Sequence, residues 1–151
     1  MEIQLAGSLP YLADSATDRQ LQEILYKQSN RTYRRKTQLL ALFRHFGIEL
    51  GTDKCLAIEG LTKGGEKHLA DIGFGPIRDL MLIAHCLRVA HYGIAAYQMT
   101  ARLAELLGML EEAALLATLA VEETDAADGL VHMEPLIFEM ADQREKSLIG
   151  Q

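Results

Sequence analysis

Lys27 through Lys36 is the stretch whose residue types could do chemistry. It reads Lys-Gln-Ser-Asn-Arg-Thr-Tyr-Arg-Arg-Lys, without one aliphatic side chain, between the apolar flanks Leu21, Ile24, Leu25 and Leu39, Leu40, Phe43. The flanks predict a helix, and a helix inside a bundle buries a continuous apolar stripe. A polar gap halfway along such a stripe is where bundle proteins place metal ligands, because side chains of facing helices converge there. The competing reading is a solvated segment or the lip of an interface. The basic run Arg31, Arg34, Arg35 and Lys36 beside Tyr33 could hold phosphate and stack a base. Against nucleic acid stands the whole-chain balance of 15 basic and 21 acidic residues, a net charge of −6. An acidic partner, including a second copy of this chain, fits the run better. Two cysteines, Cys55 and Cys86, share no metal-like spacing and sit beside apolar residues, so both read as reduced thiols used as small hydrophobes. His45, His68, His85 and His132 show no mutual ligand spacing, and no nucleophile–base pair, phosphate loop or dinucleotide fingerprint occurs.

The elements that would carry these groups are helical. Hydrophobic residues make up 49% of the 151 positions, with three prolines and no tryptophan, which favours one all-α domain able to bury a real core. Ser8 is expected to cap a short first helix ending near Ala13 to Ala16, and Thr17 with Gln20 to start a second that Gly47 ends. A third helix starts near Thr52 or Asp53. Gly73-Phe74-Gly75-Pro76 is a break. The fourth helix, 77–107, recurs in Ile83, Leu87, Ala90, Ile94, Tyr97, Ala101 and Ala104 at steps of three and four. Its 31 residues would span roughly 46 Å, and Gly93 on the stripe implies close approach by a neighbour. Gly108 stops it. A last core helix is expected over Leu110 to Asp128. The core thus covers about 8–128 and a tail 129–151, with a helical turn near Leu136 to Met140. No run approaches the ~20 apolar residues of a membrane span. Met1-Glu2-Ile3-Gln4 lacks the start of a secretion signal, so a cytoplasmic location is expected.

Lys54-Cys55-Leu56-Ala57-Ile58-Glu59-Gly60-Leu61 resembles the K-C-x-A-M-E-G-L signature of the YciF-like family of ferritin-like bacterial proteins. The resemblance continues at Ile77-Arg78-Asp79, at Leu82-Ile83-Ala84, and at Val89-Ala90-His91-Tyr92-Gly93-Ile94-Ala95-Ala96-Tyr97, where the family has V-E-H-Y-E-I-A-x-Y. Leu103 through Gly108, Leu115-Leu116 and Glu122-Glu123 also fit, as does Leu9-Pro10 through Leu21. It covers about residues 9 to 130. The resemblance implies a ferritin-like antiparallel helical bundle, a stress association and a tendency to dimerise. In that superfamily a di-iron site draws Glu or Asp from a first helix, E-x-x-H or E-x-x-E from a second, E-x-x-E from a third and acidic residues from a fourth. Carboxylates bridge two cations, and spacing of i, i+3 aims both ligands at one point.

This chain departs from that set. The third-helix pair corresponds to Ala90 and Gly93, and the second-helix pair is mapped to Asn30 and Tyr33. The first helix is expected to be truncated, with its acidic positions lying before Met1. Glu122, Glu123, Asp125 and Asp128 remain as remnant metal candidates, set against a solvated acidic helix end. His91 is a further candidate, set against a hydrogen-bonded structural histidine. The expectation is therefore a non-catalytic bundle without cofactor that has lost its di-metal site and acts as a structural or interaction module. It is expected to form a homodimer or higher homo-oligomer, away from membranes and nucleic acid. The alternative is an atypical metal-binding protein holding iron or manganese. Tyr33 is expected to fill the old site by packing against Gly93 and Ala90.

Overall fold

The computed structural model describes residues 1–149; Gly150 and Gln151, the end of the expected tail, lie outside the described residues. Five helices follow one another: α1 (Glu2–Asp14), α2 (Arg19–His45), α3 (Leu56–Ala70), α4 (Pro76–Leu106) and α5 (Leu110–Ile149). No strand occurs among the described residues. The architecture is an all-α, ferritin-like bundle in which α1 and α2 pair, α4 and α5 form the largest interface, and α3 lies mainly against α4.

α1 is longer than its sequence implied. It starts at Glu2, and Glu2, Leu5, Leu9 and Leu12 are its buried stripe at steps of three and four. Ser8 is inside the helix, not its cap. α2 is capped by Asp18 rather than Thr17; the Asp18 carboxylate accepts from the Leu21 N–H at 2.9 Å. That satisfies one of the orphan donors of the first turn. The Thr17 hydroxyl instead accepts from the Gly75 N–H at 2.8 Å, across the break before α4. α3 begins at Leu56, a few residues later than expected, with Cys55 as its cap residue. Gly47 and Gly108 adopt φ of 64° and 76° just past α2 and α4, the left-handed conformation that glycine takes without a Cβ penalty.

The expected end of the last helix near Asp128 is corrected. α5 runs on through Gly129 and Pro135. Leu130, Met133 and Ile137 continue its buried stripe into the main core with Leu5, Leu9, Leu21, Leu25 and Leu82. Pro135 is on the exposed face, where the backbone carbonyl it leaves free can bond to water. A second cluster at the other end gathers Tyr97, Ala101, Ala104, Ala113, Leu116, Leu119 and Ala120. By length and composition α4 could cross a membrane. Here it is the bundle's central helix, with Asp79, His85 and eight or more apolar residues buried among its neighbours.

Candidate functional site: a charged centre between four helices

Between the two apolar clusters lies a polar centre. The buried stripe of α2 runs Leu21, Leu25, Gln28, Thr32, Arg35. The polar decade therefore does face the interior, but through Gln28, Thr32 and Arg35. Asn30 and Tyr33 are on the outer face, Tyr33 with 61% of its surface exposed. The expected packing of Tyr33 against Gly93 and Ala90 does not occur; its ring lies under the Lys36 ammonium at 4.2 Å. Stepping three and four residues onward from Leu21 and Leu25 leads to 28, 32 and 35, a signal present in the sequence that the mapping to 30 and 33 passed over.

Arg35 is fully buried. Its guanidinium pairs with Glu123 of α5 through Nη2, and its Nε is 3.5 Å from Glu2 Oε2 of α1. Nη2 also donates to the Thr32 hydroxyl at 2.8 Å, one turn back. The Tyr97 hydroxyl of α4 donates to Glu2 Oε1 at 2.5 Å. Glu2, Glu123 and Tyr97 are each at most 5% exposed. Against the expectation that the acidic positions of the first helix lie before Met1, α1 does supply a buried carboxylate here, Glu2. Ala90 and Gly93 are buried beside the centre, and a Cβ on Gly93 would stand 3.5 Å from Glu123 Oε1, an ordinary contact. The neighbour that approaches Gly93 is thus the Glu123 side chain.

Burial drives the charges here. Two carboxylates share one guanidinium, which stays charged in proteins. Burial first, then Glu2 and Glu122 nearby, push the Glu123 carboxyl up to about 7, against the pull of Arg35 and Arg31. Burial and the Glu2 carboxylate push the Tyr97 phenol up as well. Glu2 Oε2, Glu123 Oε2, Gln28 Oε1 and Arg35 Nη1 are sealed from solvent without a hydrogen-bond partner among the described residues.

The other candidates do not join this centre. Glu122 is half-buried and pairs with Arg34 at 2.9 Å. Asp125, Asp128 and His91 are exposed, and the Asp128 carbonyl accepts from His132 Nδ1 at 2.7 Å. The basic run is thereby dispersed: Arg35 inward, Arg34 on Glu122, Lys36 on Tyr33. Cys86 is buried in the core, where desolvation pushes its thiol up to about 12. Cys55 is half-buried, and its Sγ is 3.2 Å from the Tyr92 hydroxyl.

A di-metal centre does not fit these residues. Only two carboxylates converge, and the space between them holds a guanidinium that would repel a second cation. Among the described residues no group of three or more His, Cys, Asp or Glu is placed to hold a metal ion.

Residues 1–142 match the family described as a domain of unknown function, DUF892. Protein YciF of Escherichia coli (strain K12) is 30% identical over 128 residues, 84% of this chain and 76% of that protein. The crystal structure of the E. coli stress protein YciF superposes with a TM-score of 0.85 at 26% identity, covering 91% of this chain and 87% of that one. YcfI of Rhodopseudomonas palustris, described as a candidate structural protein, gives 0.80 at 29% identity, over 85% of this chain and 82% of its own. On the family match and the identity to YciF, this chain belongs to the YciF-like DUF892 family of ferritin-like bundles.

Proposed function

We propose that this protein is a non-catalytic bundle whose di-metal site has been replaced by an ion-paired centre, and that it serves as a structural or protein-interaction module in the bacterial cytoplasm. A stress-related role follows from its relation to YciF, which is described as a stress protein. The observation that carries the reading is Arg35, fully buried between Glu2 and Glu123. A permanent cation there meets the electrostatic need of the carboxylates and leaves no open coordination position for a substrate or oxidant. Elemental analysis of protein produced with added iron and manganese tests this. Trace metal is the expected result. Near-stoichiometric iron or manganese would establish the alternative, an atypical metal-binding bundle, which the Glu123 Oε2, left without a hydrogen-bond partner among the described residues, favours.

The chain is further proposed to pair with itself. Ile77, Leu80, Met81, Ala84, Leu87 and Phe138 line an apolar groove along α4 and α5, with Ile77 and Phe138 more than half exposed. Contiguous apolar surface of this kind marks an interface, and a two-fold dimer is the commonest closed assembly. Sedimentation at micromolar concentration should report at least a dimer of the 16.8 kDa chain; a monomer rejects the pairing.

A further inference from the structure

α3 is a weak helix that leans on α4. Three of its 15 residues are glycine, Gly60, Gly64 and Gly65, and each weakens a helix interior relative to alanine. A Cβ on Gly60 or Gly64 would meet nothing within 4 Å, so packing does not call for either. Gly65 is different: a Cβ there would overlap the imidazole of His85 on α4. The α3 backbone therefore lies directly on that ring. His85 is 3% exposed, and its Nε2 is sealed from solvent without a hydrogen-bond partner among the described residues. A neutral ring tolerates this. A protonated ring carries a charge and a donor on both nitrogens, which a dry contact without an acceptor resists. The charged groups nearest it, Arg88 one turn along α4 and His68 of α3, add repulsion. The carboxylates of the neighbouring elements are turned to other partners. Glu59 of α3 pairs with Lys63, and Glu66 is exposed. Asp79 of α4 accepts from the Thr17 and Asp18 N–H groups, and Glu134 of α5 lines the outer groove. α1 meets the start of α3 through the uncharged Gln4.

We propose that α3 is a releasable arm of the bundle, latched on α4 by the neutral ring of His85 against Gly65, and that acid frees the arm by protonating that ring. Burial first, then Arg88 and His68, hold the closed ring below the ordinary histidine value. Once α3 lifts, water reaches the ring and the value returns to about 6.5. The closed state is therefore favoured in full above about 6.5 and loses ground as pH falls below it. The two ends of α3 are held differently. Its start hangs on the Gln4 side chain, which bonds the Cys55 N–H and carbonyl at 2.9 and 3.2 Å. Its end is fixed by Arg78, which donates to the carbonyls of Leu69 and Ile72. Release accordingly runs from residues 56–65 and bares Ile58, which the closed arm buries completely. A helix with little stability of its own, held by one titratable contact, opens locally before the bundle unfolds.

Amide hydrogen exchange of the full chain, corrected for intrinsic rates and followed from about pH 7.5 to about pH 5, tests this. Opening linked to one proton grows by at most about tenfold per pH unit. Protection in residues 56–65 should therefore fall about tenfold or more across the range, while α2 and the α4–α5 pair keep theirs. His85→Phe keeps a ring against Gly65 but cannot titrate, and its α3 protection should stay level with pH. Should that variant fail to fold, the ring itself decides the matter. An NMR titration of His85 in the wild type should place its closed form below the ordinary histidine value, with the loss of α3 protection following the same acid range. The inference is overturned if α3 protection ignores pH, if it falls equally in His85→Phe, or if all helices lose protection together. A ring that titrates at the ordinary value while α3 stays protected overturns it as well. The metal content of the wild type does not enter, so this test and that of the charged centre fail independently.

Discussion

Two buried polar sites in this bundle are built on opposite plans. At the start of α4, Asp79 is buried and its two oxygens accept from the backbone N–H groups of Thr17 and Asp18 at 2.7 and 2.8 Å. Next to it Arg78 donates to the carbonyls of Ser15, Leu69 and Ile72. This knot ties the α1–α2 turn and the end of α3 to α4, and every partner is backbone. At the centre, Arg35, Glu2, Glu123, Tyr97 and Thr32 bond almost wholly to other side chains, and several of their atoms stay unpartnered. The difference teaches what each site is for. A site that closes backbone groups belongs to the fold and tolerates few alternatives. A site made of side chains from four helices can change its chemistry while the helices stay put.

The comparison breaks most sharply at Arg35. Arg35→Met leaves two buried carboxylates without their cation and should cost about 3–5 kcal/mol, read by denaturant unfolding. If the loss is under about 1 kcal/mol, the centre is not an energetic keystone. Asp79→Ala should come next, at about 2 kcal/mol, because it removes the acceptor of the part-buried Thr17 and Asp18 N–H groups. Its signature should be local: faster amide exchange in residues 15–20 with the α4–α5 contacts retained. An equal loss of protection throughout would remove the distinction between the two sites.

Acidity gives a second readout of the centre. The Glu123 value in the folded protein is raised to about 7 by burial. Its stabilisation is therefore complete below the ordinary carboxylate range and is lost as pH rises through about 7. His85, buried against α3 and near Arg88 and His68, has its value lowered, so its contribution is lost in the opposite direction, as pH falls through the ordinary histidine range. The two effects oppose each other in the wild type. The difference between wild type and Glu123→Gln isolates the centre: the variant should gain on wild type as pH rises between about 5 and about 8. A constant difference across that window would show that Glu123 does not titrate there.

The smallest effects concern two glycines. A Cβ on Gly65 would overlap the His85 ring, whereas one on Gly93 would make only ordinary contact with Glu123. Gly65→Ala should destabilise by about 1–2 kcal/mol through displaced packing. Gly93→Ala should stabilise by up to about 1 kcal/mol through helix propensity. Opposite signs in thermal unfolding are the expected outcome; two losses would mean that the centre has no slack beside Gly93.

Much of this architecture was legible along the chain. The break at Gly73–Pro76, the 31-residue helix and its end at Gly108 follow from periodicity and from glycine and proline, which act over a few residues. So did the site's neighbourhood, since a polar decade between apolar flanks has to face something polar if it lies inside a bundle. The register within that decade is a matter of which side of α2 meets α4 and α5. Counting from Leu21 and Leu25 identifies Gln28, Thr32 and Arg35, and counting back from Leu12, Leu9 and Leu5 identifies Glu2; the family's ligand spacing points instead to Asn30 and Tyr33, which the helix turns outward. Glu123 and Glu122 are neighbours in the chain, yet one is sealed in the centre and the other pairs with Arg34 at the surface. Residue type cannot separate them, because burial is set by packing. The pairing of Arg35 with carboxylates 33 residues before it and 88 after it exists only once four helices have met, because a charge buried in a low-dielectric interior takes its counter-ions from whatever the fold brings within reach.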